Sequence, residues 1–332
     1  MASTTHIRAV RCAEFGSISG LRVEEIPLPK PAPGEVRIGI RYCGLNFADT
    51  IMISGRYQIK PDLPFIPGLE ASGEILEVGE GVDAFEVGDR VVGLVPHGAM
   101  AEQIVAPAAR TFRLPEGIPF DLGAALPIVY GTAYLSLTRR AVIQPGDWLL
   151  INGAAGGVGL AAVDLGRHLG ARVIAAAGSP EKLALARSYG AEAAVDYATE
   201  DLAARVKEIT GGQGVAVALD PVGGDVFKAT LRSMAFEGRI VVIGFAGGEI
   251  QAIASNHLLL KNVAAMGFYW GGYYDFAPRV LRETVDRLSA WCANGDIRPH
   301  ICAVHPLDQA PVALDLLLSR RSTGKVLLDA RA

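Results

Sequence analysis

Residues 147–152 (DWLLIN) form a short apolar run, and the chain then enters Gly153 and the segment Ala154-Ala155-Gly156-Gly157-Val158-Gly159. Beyond it, Val158, Ala161, Ala162, Leu165 and Leu169 recur at helical spacing. A strand without polar alternation is the kind that is buried on both faces of a parallel sheet. Strand, glycine loop and amphipathic helix, in that order, are the context in which a glycine-rich hexamer cradles a dinucleotide. Gly156 lets the backbone approach a pyrophosphate, and Gly159 lets helix and strand pack closely. The N–H groups of Ala155, Gly156, Gly157, Val158 and Gly159 are the candidate anion donors at the helix N-terminus. The general fingerprint begins with glycine, and Ala154 stands there instead.

The same alternation continues downstream. Strands are expected at 172–177, 193–196, 215–220 and 239–244, separated by helices at 181–189, 201–209 and 226–235. This implies βαβ units and a parallel sheet. The first 120 or so residues have a different texture, with strand candidates at 35–43, 71–78, 90–95 and 102–106 between Gly- and Pro-containing turns. They predict a small β-rich unit with long loops. A helix is expected over 122–140 despite Pro127 and Gly131, then a long helix over 278–294, another near 307–320, and a final strand over 325–329.

The strand at 172–177 bears on which dinucleotide binds. A site for NAD places Asp or Glu about 20 residues past the fingerprint, on the ribose hydroxyls. Gly178 and Ser179 occupy that place. No carboxylate there repels a 2′-phosphate, Ser179 offers a donor, and Lys182, one helical turn on, supplies positive charge. The expected cofactor is therefore NADPH.

Composition excludes several classes. The net charge of −4 gives no basic surplus for nucleic acid. No apolar run reaches the 18 or so residues of a membrane span, and the N-terminus lacks the apolar stretch of a signal peptide. The four cysteines, at 12, 43, 292 and 302, are scattered without metal-ligand spacing, which suits free thiols in a reducing compartment and an expected cytoplasmic location. His97, His257, His300 and His305 pair with no carboxylate at motif spacing and read as loop or core residues.

Several further segments carry a family resemblance. They are Cys43-Gly44-Leu45-Asn46-Phe47-Ala48-Asp49, Pro67-Gly68-Leu69-Glu70-Ala71-Ser72-Gly73, the stretch 152–159 (NGAAGGVG), Asp220-Pro221-Val222-Gly223-Gly224 and Ile243-Gly244-Phe245-Ala246. Together they resemble the medium-chain dehydrogenase/reductase superfamily, and within it the zinc-free quinone oxidoreductase branch that includes ζ-crystallin. The resemblance implies an α/β architecture: a doubly wound Rossmann domain (123–264) inserted into a GroES-like, β-rich catalytic domain (1–122 and 265–332), with the active site in the cleft. It also implies a homodimer paired through an edge strand, for which 262–269 is the candidate.

Zinc-dependent relatives carry cysteine where this chain has Asn46, and histidine where it has Leu69. Catalytic zinc needs three protein ligands of N, S or O type, and leucine supplies none. No metal is expected, and the acceptor must already be electrophilic. The resemblance implies an NADPH-dependent enzyme that reduces quinones by hydride transfer. The alternatives are reduction of the C=C bond of an enone or an enoyl thioester, and an NADPH-binding sensor or structural protein without turnover. The first 70 residues show no basic cluster of the kind a CoA thioester would need.

By the same resemblance, Asn46 hydrogen-bonds the nicotinamide ribose or the substrate, and Tyr57 lines the quinone site as a donor to a developing oxyanion. Asn46 reads equally as a turn residue and Tyr57 as a half-buried loop aromatic. Ile51 stands where several quinone oxidoreductases have a second tyrosine. Tyr197 and Arg320 match residues beside the adenosine phosphate, where a guanidinium fork suits phosphate. Thr132, Phe245 and Tyr269 match residues around the nicotinamide, although the two aromatics could equally belong to the core.

Overall fold

The computed structural model describes residues 5–332, and they divide into two compact units. The first takes in the chain up to Ile128 together with Pro278–Gly295 and Pro299–Ala332; the second is Val129–Ala277 with Asp296–Arg298.

The N-terminal part of the first unit carries strands β1 (His6–Arg11), β2 (Arg22–Pro27), β3 (Glu35–Leu45), β4 (Glu70–Val78), β5 (Arg90–Leu94), β6 (Gln103–Pro107) and β7 (Thr111–Arg113). Helix α1 (Phe47–Ile53) follows β3, and α2 (Phe120–Ala125) follows β7. The second unit starts within α3 (Pro127–Leu135). It continues through β8 (Trp148–Asn152), α4 (Gly157–His168), β9 (Arg172–Ala177), α5 (Pro180–Ser188), β10 (Ala193–Asp196), α6 (Leu202–Ile209), β11 (Val215–Asp220), α7 (Gly224–Ser233), β12 (Met234–Val242), α8 (Ser255–Lys261), β13 (Ala264–Gly267) and α9 (Gly272–Phe276). The chain then returns to the first unit with α10 (Pro278–Ala293), β14 (Ile301–Pro306), α11 (Ala310–Leu318) and β15 (Lys325–Asp329).

The second unit is built on a six-stranded sheet in the order β10-β9-β8-β11-β12-β13, and every pairing in it is parallel. Counted from β8, that is the 3-2-1-4-5-6 order of a doubly wound dinucleotide fold, and it reverses between β8 and β11. Leu150, Ile174, Val195, Ala218 and Ile240 from five of these strands form one core cluster with Val206 and Phe227 of the helices. Burial on both faces explains why the strands read as apolar runs rather than as alternating patterns.

The first unit contains a seven-stranded sheet, β14-β15-β3-β4-β5-β7, with β6 paired antiparallel to β3, and a separate β1-β2 ribbon. The last strand of the chain lies between β14 and β3, pairing Val326 with Leu45 and Leu328 with Cys43. The C-terminal segment is therefore an interior part of the N-terminal unit.

Three local differences from the sequence reading have physical causes. The helix expected over 122–140 is broken: α2 ends at Ala125, α3 starts at Pro127, and the last five residues, Ser136–Arg140, take π geometry. Proline has no N–H to continue a helix, and its fixed φ suits a first helical position. Helix α1 falls where only loop was expected, because seven residues are too few to show a helical period. Strands β1 and β2 were not expected either; β2 (RVEEIP) is largely exposed and mixes charge with few apolar residues.

Gly131, mid-helix in α3, has a clear packing reason: a β-carbon there would overlap the six-membered ring of Trp270. Trp270 is buried and donates its indole N–H to the Tyr274 hydroxyl at 3.1 Å. Helix propensity alone would make Gly131→Ala stabilising by about 1 kcal/mol. Overlap with a packed indole reverses the sign, and a loss of about 1–3 kcal/mol is expected. Urea denaturation of the variant measures it; an unchanged or raised midpoint would refute the assignment.

Candidate active site

In the second unit the carboxyl ends of β8 and β11 flank the point where the strand order reverses, which is where doubly wound sheets bind ligands. Asn152 and Asp220, the last residues of these strands, are both fully buried and joined: Asn152 Nδ2 donates to Asp220 Oδ1 at 2.9 Å and to Thr230 Oγ1 at 2.8 Å. Asp220 also accepts from the N–H groups of Val222 (3.2 Å) and Gly223 (3.1 Å). Burial pushes its carboxyl pKa up, against those hydrogen bonds. The two loops at the switch point are thus tied to each other.

The loop after β8 turns back on itself, with Gly156 N–H on Gly153 O at 2.9 Å and Ala154 N–H on Ala176 O at 3.0 Å. Gly156 is the N-cap of α4, so Gly157, Val158 and Gly159 carry first-turn N–H groups that a helix cannot satisfy internally. A β-carbon on Gly159 would overlap the carbonyl oxygen of Gly153. The helix can start this close to the loop only because Gly159 has no side chain. The arrangement fits a pyrophosphate at the first turn of α4.

Gly178, Ser179, Lys182 and Tyr197 come together at the ends of β9 and β10. A β-carbon on Gly178 would lie 3.2 Å from Cε2 of the Tyr197 ring, and Tyr197 N–H bonds Ala177 O at 3.1 Å. Ser179 is the N-cap of α5 and its hydroxyl oxygen accepts from Lys182 N–H at 3.4 Å. An acid does stand nearby: the exposed Glu181 carboxylate has its pKa lowered by its own N–H and then by the Ser179 hydroxyl. That hydroxyl is therefore shared. Thr132 is buried in α3, one residue from the Gly131–Trp270 contact that draws the 268–271 segment onto this helix. Tyr269 and Phe245 are 43% and 38% exposed, so neither is a core aromatic. Phe245 lies beside Gly223, at the switch point.

Asn46, Tyr57 and Arg320 belong to the first unit. Tyr57 is half-buried, packed against the core of that unit after α1 ends, and Arg320 is exposed just past α11 with a φ of 57°. Leu69 also packs against that core. A groove of about 430 Å³ in this unit is lined by Arg11, Phe65 and His97 among others, and contains none of the expected site residues.

Asn46 directly follows β3 and is the N-cap of α1, where Asp49 reaches back to accept its backbone N–H at 2.7 Å. Its side chain sits in a buried ionic cluster that sequence reasoning did not find. Lys325, 2% exposed, donates to Leu45 O (2.8 Å), Asn46 Oδ1 (2.7 Å) and Glu70 Oε1 (2.6 Å). The Asn46 amide donates to Glu70 Oε1 (2.9 Å) and Gly44 O (3.2 Å). Glu70 Oε2 takes the N–H of Ile128 at 3.0 Å. Both amide hydrogens of Asn46 are consequently committed inward, and its carbonyl oxygen accepts from Lys325. The one available signal was a lysine opening the apolar strand KVLLD.

Among the described residues, no three His, Cys, Asp or Glu side chains gather as a metal site requires. At the two positions where zinc relatives place ligands stand Leu69, in the apolar core, and Asn46, its oxygen already taken by an ammonium. This donor set does not fit zinc.

The fully buried Asp49 carboxyl is pushed up to about 7 by burial, with Glu70 adding to the rise and Lys325 and the N–H groups of Asn46 and Gly68 opposing it. Its Oδ1 has no hydrogen-bond partner among the described residues. The folded state holds this proton more tightly than an ordinary carboxyl of pKa 3.8. The stability it contributes is complete below about pH 4 and is lost as pH rises through about 7. Asp49→Asn removes the ionisation. Its stability relative to the unsubstituted protein is expected to improve steadily across that window in urea titrations, whereas a gap independent of pH would contradict the raised value.

Residues 32–116 match the family model described as the alcohol dehydrogenase GroES-like domain, and residues 157–288 that described as zinc-binding dehydrogenase. The rat quinone oxidoreductase-like protein 2 is 46% identical over 330 residues, covering 98% of this chain and 93% of its own. A quinone oxidoreductase of Pseudomonas aeruginosa is 35% identical over 322 residues, covering 97% and 99%. The crystal structure of Escherichia coli quinone oxidoreductase complexed with NADPH superposes with a TM-score of 0.90 at 32% identity, covering 98% of this chain and 100% of the other.

Proposed function

The chain belongs to the quinone oxidoreductase branch of the medium-chain dehydrogenase/reductase family, and from that premise we propose that it is a zinc-independent, NADPH-dependent reductase of quinones. The observation that carries the reading is the pair Asn46 and Leu69. Neither can serve zinc, so nothing at these positions would polarise an alcohol, and an acceptor that is already electrophilic is the chemistry that remains.

NADPH bound to the second unit would supply the hydride. The first-turn N–H groups of α4 would hold its pyrophosphate, and Gly178, Ser179, Lys182 and Tyr197 would hold its 2′-phosphate. Thr132, Phe245 and Tyr269 would border its nicotinamide. Asn46, its own hydrogens committed to Glu70 and Gly44, would meet the nicotinamide ribose or the substrate through its carbonyl oxygen. Tyr57 donates a proton to the acceptor oxygen as negative charge develops there. Orientation and exclusion of water supply most of the acceleration.

Loss of NADPH absorbance with a quinone panel and with an enone panel tests this reading. Turnover of quinones is expected; oxidation of NADPH by neither panel would sink it and leave a binding protein. The enone alternative draws on Ile51, which stands where a second phenol would assist quinone reduction. Lys182→Ala is expected to raise the Kd for NADPH about 10-fold, the worth of one charged hydrogen bond, with NADH affected much less. An equal loss for both nucleotides would place Lys182 outside the phosphate site.

The same reading includes a homodimer and, with no disulfide among the described residues, a cytoplasmic setting. Its support is β13, an edge strand, beside α8, whose Leu259 and Leu260 are 75% and 74% exposed. An open edge with apolar neighbours suits pairing with a second copy. Leu259→Glu with Leu260→Glu should convert a dimer to a monomer in light scattering; a dimer that persists would move the interface elsewhere.

A further inference from the structure

The buried ionic cluster does more than tie strands together. Glu70 sits at the start of β4 with no exposed surface. One of its oxygens receives the Lys325 ammonium and the Asn46 amide; the other receives the N–H of Ile128. Ile128 is the second residue of α3, so its N–H is one of the donors a helix leaves unsatisfied, and a carboxylate at that end also meets the helix dipole favourably. One turn further along the same helix is Thr132. The Asn46 side chain and the N-terminus of α3, from segments distant in sequence, therefore share one carboxylate.

We propose that Glu70, neutralised by Lys325, is a positioning residue for the reaction: it fixes the amide orientation of Asn46 and caps the N-terminus of α3. The inference rests on the reductase reading above for its kinetic consequence, though not for its structural one. Lys325 supplies the counter-charge and donates to the Asn46 carbonyl oxygen, which fixes which end of the amide faces Glu70. The amide hydrogens cannot rotate toward a ligand while Glu70 and Gly44 accept them.

Glu70→Gln tests this because of what an amide can and cannot accept. One of its two head atoms becomes a donor. Whichever way the amide turns, either the Asn46 amide or the Ile128 N–H loses its acceptor. The single variant also leaves a buried ammonium unpaired and is expected to be unstable. The double variant Glu70→Gln/Lys325→Met removes both charges, and its thermal midpoint is expected to return toward that of the unsubstituted protein.

With NADPH and 1,4-naphthoquinone as acceptor, the double variant should still turn over roughly 10- to 100-fold more slowly, as expected of a displaced catalytic arrangement. Wild-type turnover in a stable double variant would show the ion pair to be structural only and would overturn the proposal. Amide hydrogen exchange gives a readout without turnover. Faster exchange at Ile128, at the α3 terminus or in the Asn46 segment of the stable double variant is expected, and unchanged exchange at both would overturn the proposal. If the unsubstituted protein reduces neither a quinone nor an enone, the reductase reading fails, and the exchange result still decides the positioning role.

Discussion

An ammonium group taken out of water must find an acceptor for each of its hydrogens, and Lys325 finds all three inside the first unit. Those acceptors come from the end of β3, the N-cap of α1 and the start of β4, between 255 and 280 residues away in sequence. Strand β15 can occupy its place beside β3 only with this lysine satisfied. The interleaving of the C-terminal segment with the N-terminal sheet therefore carries a polar requirement as well as an apolar one. Leu327 and Leu328 are fully buried and Val326 nearly so, and they provide the burial. Lys325 provides the specificity of register, since sliding by one residue would aim the ammonium at the other face of the sheet.

The cluster also explains why Asp49 behaves unlike a surface carboxyl. Two acids, Asp49 and Glu70, share one buried cation with the thiol of Cys43 beside them. Burial pushes the Cys43 thiol up, and both acids add to that rise. A low-dielectric site with more acids than bases keeps protons, which is the physical content of the raised Asp49 value. Asn46 sits at the junction of β3 and α1, where a change of backbone direction is unavoidable.

The second unit solves a different problem. A parallel sheet collects the carboxyl ends of its strands on one side, and reversal of strand order opens a crevice there. Asn152, Asp220 and Thr230 close a hydrogen-bonded link across the reversal, from the ends of β8 and β11 to helix α7. This lets two adjacent loops keep fixed positions without a large apolar contact between them. The close approach of α4 at Gly159 belongs to the same economy of space.

Local patterns in the sequence carried the second unit from β8 to β12, while helices α8 and α9 were not expected. The strands at 172–177, 193–196 and 215–220 fall where apolar runs predicted them, because burial on both faces leaves a strong one-dimensional signal. The glycine loop was legible for the same reason: its demands on backbone and packing act between neighbours in sequence. Phosphate-side residues Gly178, Ser179 and Lys182 lie within a few positions of one another, but the contact of Tyr197 with Gly178 and the sharing of the Ser179 hydroxyl with Glu181 needed the folded chain. In the first unit less was legible. Residue chemistry alone made Asn46 and Leu69 unsuitable as zinc ligands. It could not say that both hydrogens of the Asn46 amide turn inward, nor that Glu70 and Lys325 meet there. Hydrogen bonds that span most of the chain leave no periodicity or spacing to read, and only tertiary structure decides which distant polar groups must satisfy one another once both are buried.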